Sequence, residues 1–209
     1  AMSLAQAKRL CPQAILLRGT HERYVEFSDR ILAIFKAYSP HVEPMSLDEA
    51  YVDLTGCERL HGPTLTTAQR IRDRIKTEVG VNCSIGIAAN KLMAKIASAY
   101  CKPSGMLWIV EGMEQTFLAP LHIDRIPGIG PKTGGKLWRM GIKTVGQLAA
   151  LPRELLEKKY GQHGTALYCR ARGWCSSPVK NCRDNAHSIS RETTFETDST
   201  DSKFLLSTL

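Results

Sequence analysis

Apolar residues along the first half of the chain alternate between helical and strand spacing. Residues 21–38 carry apolar side chains at every third or fourth position, and residues 66–79 repeat this pattern, so both segments are predicted to form amphipathic helices. The other predicted elements are helices at 3–10 and from the cap residue Asn90 to about Cys101, and strands at 13–17, 41–55, 81–89 and 105–110.

Beyond residue 112 the pattern becomes helical and is punctuated by glycine. Five short helices are predicted near 114–118, 131–139, 144–149, 152–158 and 162–171. Residues 174–188 have the composition of a linker, and 189–197 begins a further strand. The order of elements predicts a layer of sheet and helices, of α+β or α/β type, followed by a small all-helical region.

The positive charge of the chain is concentrated in the helical region. The chain has a net charge of +8, and residues 120–182 hold eleven Lys and Arg against three acidic residues, so they account for the entire excess. Such a concentrated block favours a polyanionic partner, nucleic acid first.

The seven cysteines and the hydropathy pattern indicate in which cellular compartment the protein is expected. The cysteines are odd in number and scattered without a C-x-x-C pair, which predicts reduced thiols in a cytoplasmic protein. The spacing of Cys169, Cys175 and Cys182 matches no usual zinc pattern. No apolar run approaches the length of a membrane span, and the first ten residues do not resemble a signal peptide.

Two neighbouring carboxylates, Asp48 and Glu49, interrupt the strand-like run "EPMSLDEAYVDLTG". In a regular strand one of them would point into the core, where an ionised carboxylate without a partner is costly. The conflict is removed if strands 41–47 and 50–55 form a hairpin with the acidic pair at its tip. Both side chains could then bind one divalent cation such as Mg²⁺. The alternative is a polar hairpin turn without a ligand.

The segment "IPGIGPKTGGKL" has the glycine spacing of a helix-hairpin-helix motif. Gly128 and Gly130 would let a phosphate approach main-chain N–H groups, and a helix starting at about Pro131 would direct its positive end to the same point. Lys132 and Lys136 add positive charge. Binding of this kind is independent of base sequence and sensitive to salt.

A second, weaker copy of this motif is "KYGQHGTALYCRARG", with Gly161 and Gly164 in the hairpin and Arg170 and Arg172 after it. The alternative for this copy is an αα-hairpin with glycine caps.

Four segments together resemble the Y family of translesion DNA polymerases, with the bacterial DNA polymerase IV branch as the nearest match. In chain order they are "SLDEAYVDLTG", "CSIGIAANKLMAKIASAYCKPSGMLWI", "IDRIPGIGPKTGGKLWRMGIKTVGQLAAL" and "SISRETTF". The resemblance implies a palm-like antiparallel sheet with helices on one face at 21–112, followed by a helix-hairpin-helix thumb at 113–173. It also implies a remnant of the fingers at 1–20, a linker at 174–188 and the start of a little-finger domain at 189–209.

The resemblance also implies a reaction and its site residues. Asp48 would bridge two Mg²⁺ ions, Glu49 would bind the ion that activates the primer 3′-hydroxyl, and Lys102 would contact the triphosphate of the incoming dNTP. The partner would be primer–template DNA. Read without the resemblance, Lys102 is an ordinary lysine at a helix end.

Several parts of the family pattern are not matched by these residues. They are a strand with a further metal-binding Asp, an aromatic gate against ribonucleotides, a Tyr and an Arg of the fingers, and most of the little finger. A sliding clamp would bind through further C-terminal segments. We therefore expect little or no polymerase activity from these 209 residues alone.

Two other functions remain open at this stage. One is a non-catalytic DNA-binding module, in which the glycine hairpin grips DNA on an inert platform. The other is a metal-dependent enzyme with a similar palm, such as a nucleotide cyclase, although a cyclase has no use for the basic hairpins.

Overall fold

The computed structural model describes residues 2–17, 19–181, 195 and 197–208 of the chain. Helix α1 spans Leu4–Leu10 and begins where the side chain of Ser3 accepts a hydrogen bond from the main-chain N–H of Gln6. The predicted strand at 13–17 is wrong, because this segment pairs with no described strand and leaves Ile15 and Leu17 86% and 87% exposed. A short apolar run alone does not specify a strand unless another strand lies beside it.

The four strands in the described part of the chain form two separate pairs. Strands β1 (His41–Pro44) and β2 (Ala50–Asp53) are antiparallel, whereas β3 (Ile85–Ile87) and β4 (Met106–Trp108) are parallel. The expectation of an antiparallel sheet therefore needs correction for the second pair. Helix α5 (Lys91–Tyr100) connects β3 to β4. It carries the chain back to the end of the sheet where β3 began, so both strands run in the same direction.

Helices pack beside these strands and form a first hydrophobic core. Helix α2 (His21–Lys36) contacts α4 (Thr64–Arg74) and the π-helical turn Ile75–Val79 that continues α4. The buried side chains of this core are Ile34, Ile71, Ile75 and Val79. A short helix, α3 (Glu58–His61), precedes α4.

A second core joins α5 to the helical region that follows. Leu92, Met93, Ile96 and Ala97 of α5 are buried in one cluster with side chains from the later helices. These are α6 (Glu114–Leu118), a 3₁₀ turn (Ile123–Arg125), α7 (Pro131–Arg139), α8 (Val145–Ala149), α9 (Arg153–Tyr160) and α10 (Gln162–Ala171). The α+β class and the helical character of this region are thus confirmed.

One further helix lies near the C-terminal end of the described residues. Helix α11 spans Ser202–Thr208, while the predicted strand at 189–197 falls largely outside the described residues. No helix in the described ranges is both long enough and apolar enough to cross a membrane.

The chain leaves the helical region along residues 174–181 (the linker start) and returns to the first hairpin. Lys91 Nζ lies 2.6 Å from Glu43 Oε2, and both side chains are largely buried. This pair binds the linker start on both sides. Lys91 donates to the carbonyl oxygen of Pro178 at 3.3 Å, and the main-chain N–H of Lys180 donates to Glu43 at 2.8 Å. Ionic and main-chain contacts therefore hold the linker start against β1 and α5.

Candidate metal and DNA site

The hairpin between β1 and β2 ends in a five-residue turn that carries the acidic pair. The last strand partners are Pro44 and Ala50, so Asp48 and Glu49 lie beyond the ladder, where the strand pleat does not separate them. The hydroxyl of Ser46 donates to Asp48 Oδ1 at 2.6 Å and accepts the main-chain N–H of Glu49 at 3.2 Å. Both carboxylates are exposed at one end of the sheet.

Helix α5 brings a cation to this acidic pair. Lys95 Nζ lies 2.5 Å from Glu49 Oε2, with the two side chains 41% and 49% exposed. The hydrogen bond to Glu49 raises the pKa of the Lys95 ammonium, and the negative charge of Asp48 adds to the effect. Sequence reasoning missed Lys95, since its partner is 46 residues away and no local spacing indicates the contact.

The donor set at the hairpin tip fits part of a magnesium shell. Mg²⁺ is usually bound by one or two carboxylates, and water and substrate phosphates complete its octahedron. Asp48 and Glu49 meet that minimum. Within the described ranges no group of three or more His, Cys, Asp or Glu side chains could hold a metal, so a third side-chain ligand of these types would have to come from outside those ranges.

Lys102 lies just after α5, in the turn that leads to β4. It is exposed and makes no ion pair with any residue that the structure describes. Gly105 completes the turn, and a Cβ added there would collide with the main-chain carbonyl of Cys101. The close approach explains why glycine is needed after "KPS", and it fixes the path of the chain beside Lys102.

The predicted glycine hairpin forms between the 3₁₀ turn and α7. Ile126 and Ile129 are buried on either side of Gly128, whose φ of +91° suits glycine. Gly130 is the N-cap of α7, and Pro131 occupies its first position. The first turn of α7 therefore presents unpaired main-chain N–H groups at its positive end.

The two lysines predicted to accompany this hairpin are both on α7. Lys132 lies in its first turn, Lys136 one turn later, and both are exposed. The structure thus places these ammonium groups on the helix that the glycine turn begins.

Arg170 supports the glycine hairpin from behind. Its Nη1 donates to the carbonyl oxygen of Pro127 at 2.9 Å, and its guanidinium occupies the space that a Cβ on Gly128 would need. The contact was not foreseen, because the sequence indicated only that Arg170 follows the second glycine motif. Arg170 is therefore bound to the protein's own backbone rather than directed outward.

The second glycine motif has the geometry of an αα-hairpin. Gly161 joins α9 to α10 with a φ of +59°, and Gly164 packs directly on the main chain of Leu156. The guanidinium of Arg172 stacks on Tyr168, 3.4 Å from its ring centroid, and also donates to the main-chain carbonyl of Ala149. These contacts favour the alternative of an αα-hairpin with glycine caps.

Comparisons with known proteins agree with this geometry. Residues 1–99 match the impB/mucB/samB family, and residues 124–174 match the thumb domain of DNA polymerase iota. Among curated proteins the chain is 48% identical over 204 residues to DNA polymerase IV of Dehalococcoides mccartyi strain CBDB1, covering 98% of the chain and 52% of that protein. It is 43% identical to DNA polymerase IV of Xanthomonas oryzae pv. oryzae, with 95% and 55% covered.

Solved structures give the same result. DinB from Sulfolobus solfataricus is 31% identical with a TM-score of 0.76, over 85% of this chain and 53% of that one. An insertion ternary complex of Dbh DNA polymerase is 31% identical with a TM-score of 0.74, over 85% and 52%. The chain spans about half the length of the curated relatives it matches. Taken with the acidic hairpin tip and the glycine turn, these matches show that the chain is similar to DNA polymerase IV and to the DinB and Dbh polymerases over about half of their length.

Proposed function

We propose that this chain supplies the metal-binding carboxylates and the DNA grip of a template-directed DNA polymerase for translesion synthesis. The reaction is transfer of a nucleotide from a dNTP to a primer 3′-hydroxyl. The observation that carries the proposal is the exposed pair Asp48 and Glu49, held beyond the end of a strand ladder by the turn through Ser46.

The carboxylates have distinct proposed roles. Asp48 would hold both of two Mg²⁺ ions, and Glu49 would hold the one nearer the primer end. Mg²⁺ bound there would lower the pKa of the attacking hydroxyl and would neutralise the charge of the leaving pyrophosphate. Ser46 orients Asp48 through its 2.6 Å hydrogen bond, so less freedom is lost when the carboxylate binds. Lys102 would bind a phosphate oxygen of the dNTP as a compact point charge.

The glycine hairpin would bind the sugar–phosphate backbone of primer–template DNA. The main-chain N–H groups after Gly130 and the ammonium groups of Lys132 and Lys136 are hydrogen-bond donors and cations suited to phosphate oxygens. Such groups do not read base edges, as expected for an enzyme that copies any template.

We also propose that the protein acts in the cytoplasm, where bacterial DNA is replicated. The unpaired state of the six described cysteines is consistent with a reducing compartment.

Glu49→Gln tests the proposed catalytic role in the full-length product of the reading frame that contains these residues. The substitution keeps the size of the side chain but removes its charge, so primer extension should fall at least a hundredfold while duplex binding is retained. Glu58→Gln is the matched control, because Glu58 is also an exposed glutamate but lies on α3 outside the site. Unchanged extension by Glu49→Gln would show that the acidic pair is misassigned.

A non-catalytic DNA-binding module is the second candidate. It is favoured by the ion pair between Lys95 and Glu49, because this contact occupies one of the two carboxylates that a metal ion would need. The same assay separates the two functions, since a module would bind duplex DNA but show no Mg²⁺-dependent extension in the full-length protein.

A further inference from the structure

The ammonium group of Lys95 is bound to the carboxylate of Glu49, which the proposed function assigns to a metal ion. This ammonium is hydrogen-bonded to Glu49 Oε2, and it approaches from α5 rather than from the hairpin itself. Asp48 and Tyr51 are close enough to interact electrostatically with the same ammonium. One flexible cation therefore lies among the acidic groups at the hairpin tip.

A divalent ion and this ammonium cannot both use Glu49 Oε2 in the observed arrangement. An Mg²⁺–oxygen bond is about 2.0–2.1 Å long. An ion bound to Oε2 would thus lie only a few ångströms from the Lys95 nitrogen, which is 2.5 Å from that oxygen. Repulsion between a divalent ion and an ammonium at such a distance is strong even in water. By contrast, an exposed Lys–Glu pair contributes little stability, so lysine is the group that moves.

We propose that Lys95 is a positioning residue that holds Glu49 before metal binds and is displaced from it by the divalent ion. The inference rests on the proposed metal-binding role of Asp48 and Glu49 and adds a competitor to it. Before metal arrives, the ammonium offsets the repulsion between adjacent carboxylates and directs Glu49 towards α5. After metal arrives, the long side chain of Lys95 is free to bind a different anion.

The anion best placed to receive the displaced ammonium is the triphosphate of the dNTP. The nucleotide brings negative charge to the metal, and lysine is a compact, flexible phosphate ligand. Lys102, the residue proposed to bind that triphosphate, lies two residues after the end of α5, the helix that carries Lys95. The exchange predicts that nucleotide and metal strengthen each other's binding partly through Lys95.

Metal binding without nucleotide measures the competition directly. Mn²⁺ affinity is determined by electron paramagnetic resonance for the 209-residue chain and its Lys95→Gln variant. Removing the competitor should tighten Mn²⁺ binding about two- to fivefold, which corresponds to the usual strength of an exposed ion pair. Lys95→Arg, which keeps a cation able to pair with Glu49, should bind Mn²⁺ as the unaltered chain does.

Lys76→Gln is the matched control for net charge. Lys76 is an exposed lysine whose Nζ is hydrogen-bonded to Asn82, away from the acidic pair. The variant loses the same unit of charge and should leave Mn²⁺ affinity within the error of the measurement. Equal Mn²⁺ affinities for Lys95→Gln and Lys76→Gln would refute the displacement of Lys95 but would not contradict the proposed metal site.

A second readout follows the lysine itself. Acylation of Lys95 by a water-soluble active ester, quantified by mass spectrometry, should rise severalfold with saturating Mg²⁺, whereas that of Lys76 should not change. In Glu49→Gln, labelling of Lys95 should already be high and independent of Mg²⁺. If Glu49→Gln and the unaltered chain bind Mn²⁺ equally, the proposed metal site itself fails, and the role of Lys95 fails with it.

Discussion

The contact between α9 and α10 gives a quantitative prediction for Gly164→Ala. A Cβ on Gly164 would lie inside contact distance of the carbonyl group of Leu156 and the main-chain nitrogen of Glu157. Because these are backbone atoms, a rotamer change cannot relieve the overlap, and the two helices must separate. Leu156 and Leu167 are both fully buried in the core between the helices, so separation also loosens their packing.

The expected cost follows from these contacts. Overpacking of a core costs about 1–3 kcal/mol, and a rigid backbone neighbour favours the upper end, about 3 kcal/mol. Replacing glycine by alanine in a helix recovers at most about 1 kcal/mol. The net loss is therefore about 2 kcal/mol, or a fall of about 4–8 °C in Tm for a chain of this size.

Thermal unfolding followed by circular dichroism measures this loss, with Gly135→Ala as the matched control. Gly135 also lies in a helix, α7, but a Cβ added there meets no atom within 4 Å. The control should gain up to about 1 kcal/mol from helix propensity. The packing argument is refuted if Gly164→Ala melts at or above the Tm of the unaltered chain, or if Gly135→Ala loses as much.

Three further predictions concern the pH dependence of stability and the salt dependence of DNA binding. Burial raises the pKa of Glu43, but bonds from Lys91 and a main-chain N–H outweigh it, so its pKa lies below the ordinary 4.5. Because the folded pKa is lowered, the stabilisation is present above pH 4.5 and lost as pH falls through the lowered value. Urea unfolding at a series of pH values should show a steeper acid loss for the unaltered chain than for Glu43→Gln, and parallel curves would contradict the assignment. For DNA binding, the double variant Lys132→Ala and Lys136→Ala should reduce the slope of log K against log salt by about 2. Arg170→Gln should weaken duplex binding severalfold with the slope unchanged, since that guanidinium holds the loop; a reduced slope would show that it contacts phosphate instead.

Local features of the fold could be predicted because their causes are local. The side chains of Ser3 and Asn90 cap α1 and α5 as their positions before apolar periodic segments indicate. The turn at Asp48 was predictable because a regular strand would have buried one of the two neighbouring carboxylates without a partner, which is too costly. The helix that starts at Pro131 follows from a proline next to a glycine cap.

The features that sequence reasoning missed depend on residues far apart in the chain. Whether 13–17 forms a strand depends on a neighbouring strand, and the described residues provide none. The parallel pairing of β3 with β4 depends on the path of α5. The contacts of Lys95 with Glu49 and of Arg170 with Pro127 each join residues more than 40 positions apart. Neither contact has a signature in spacing, so a structure was needed to find them.

The contacts of residues 174–181 with Glu43 and Lys91 are made through main-chain groups, the carbonyl oxygen of Pro178 and the N–H of Lys180. A change of side chain at position 178 or 180 should therefore leave these two contacts in place. Loss of the Glu43 or Lys91 side chain, by contrast, should release residues 174–181 from β1 and α5, although the change itself lies far away in the sequence.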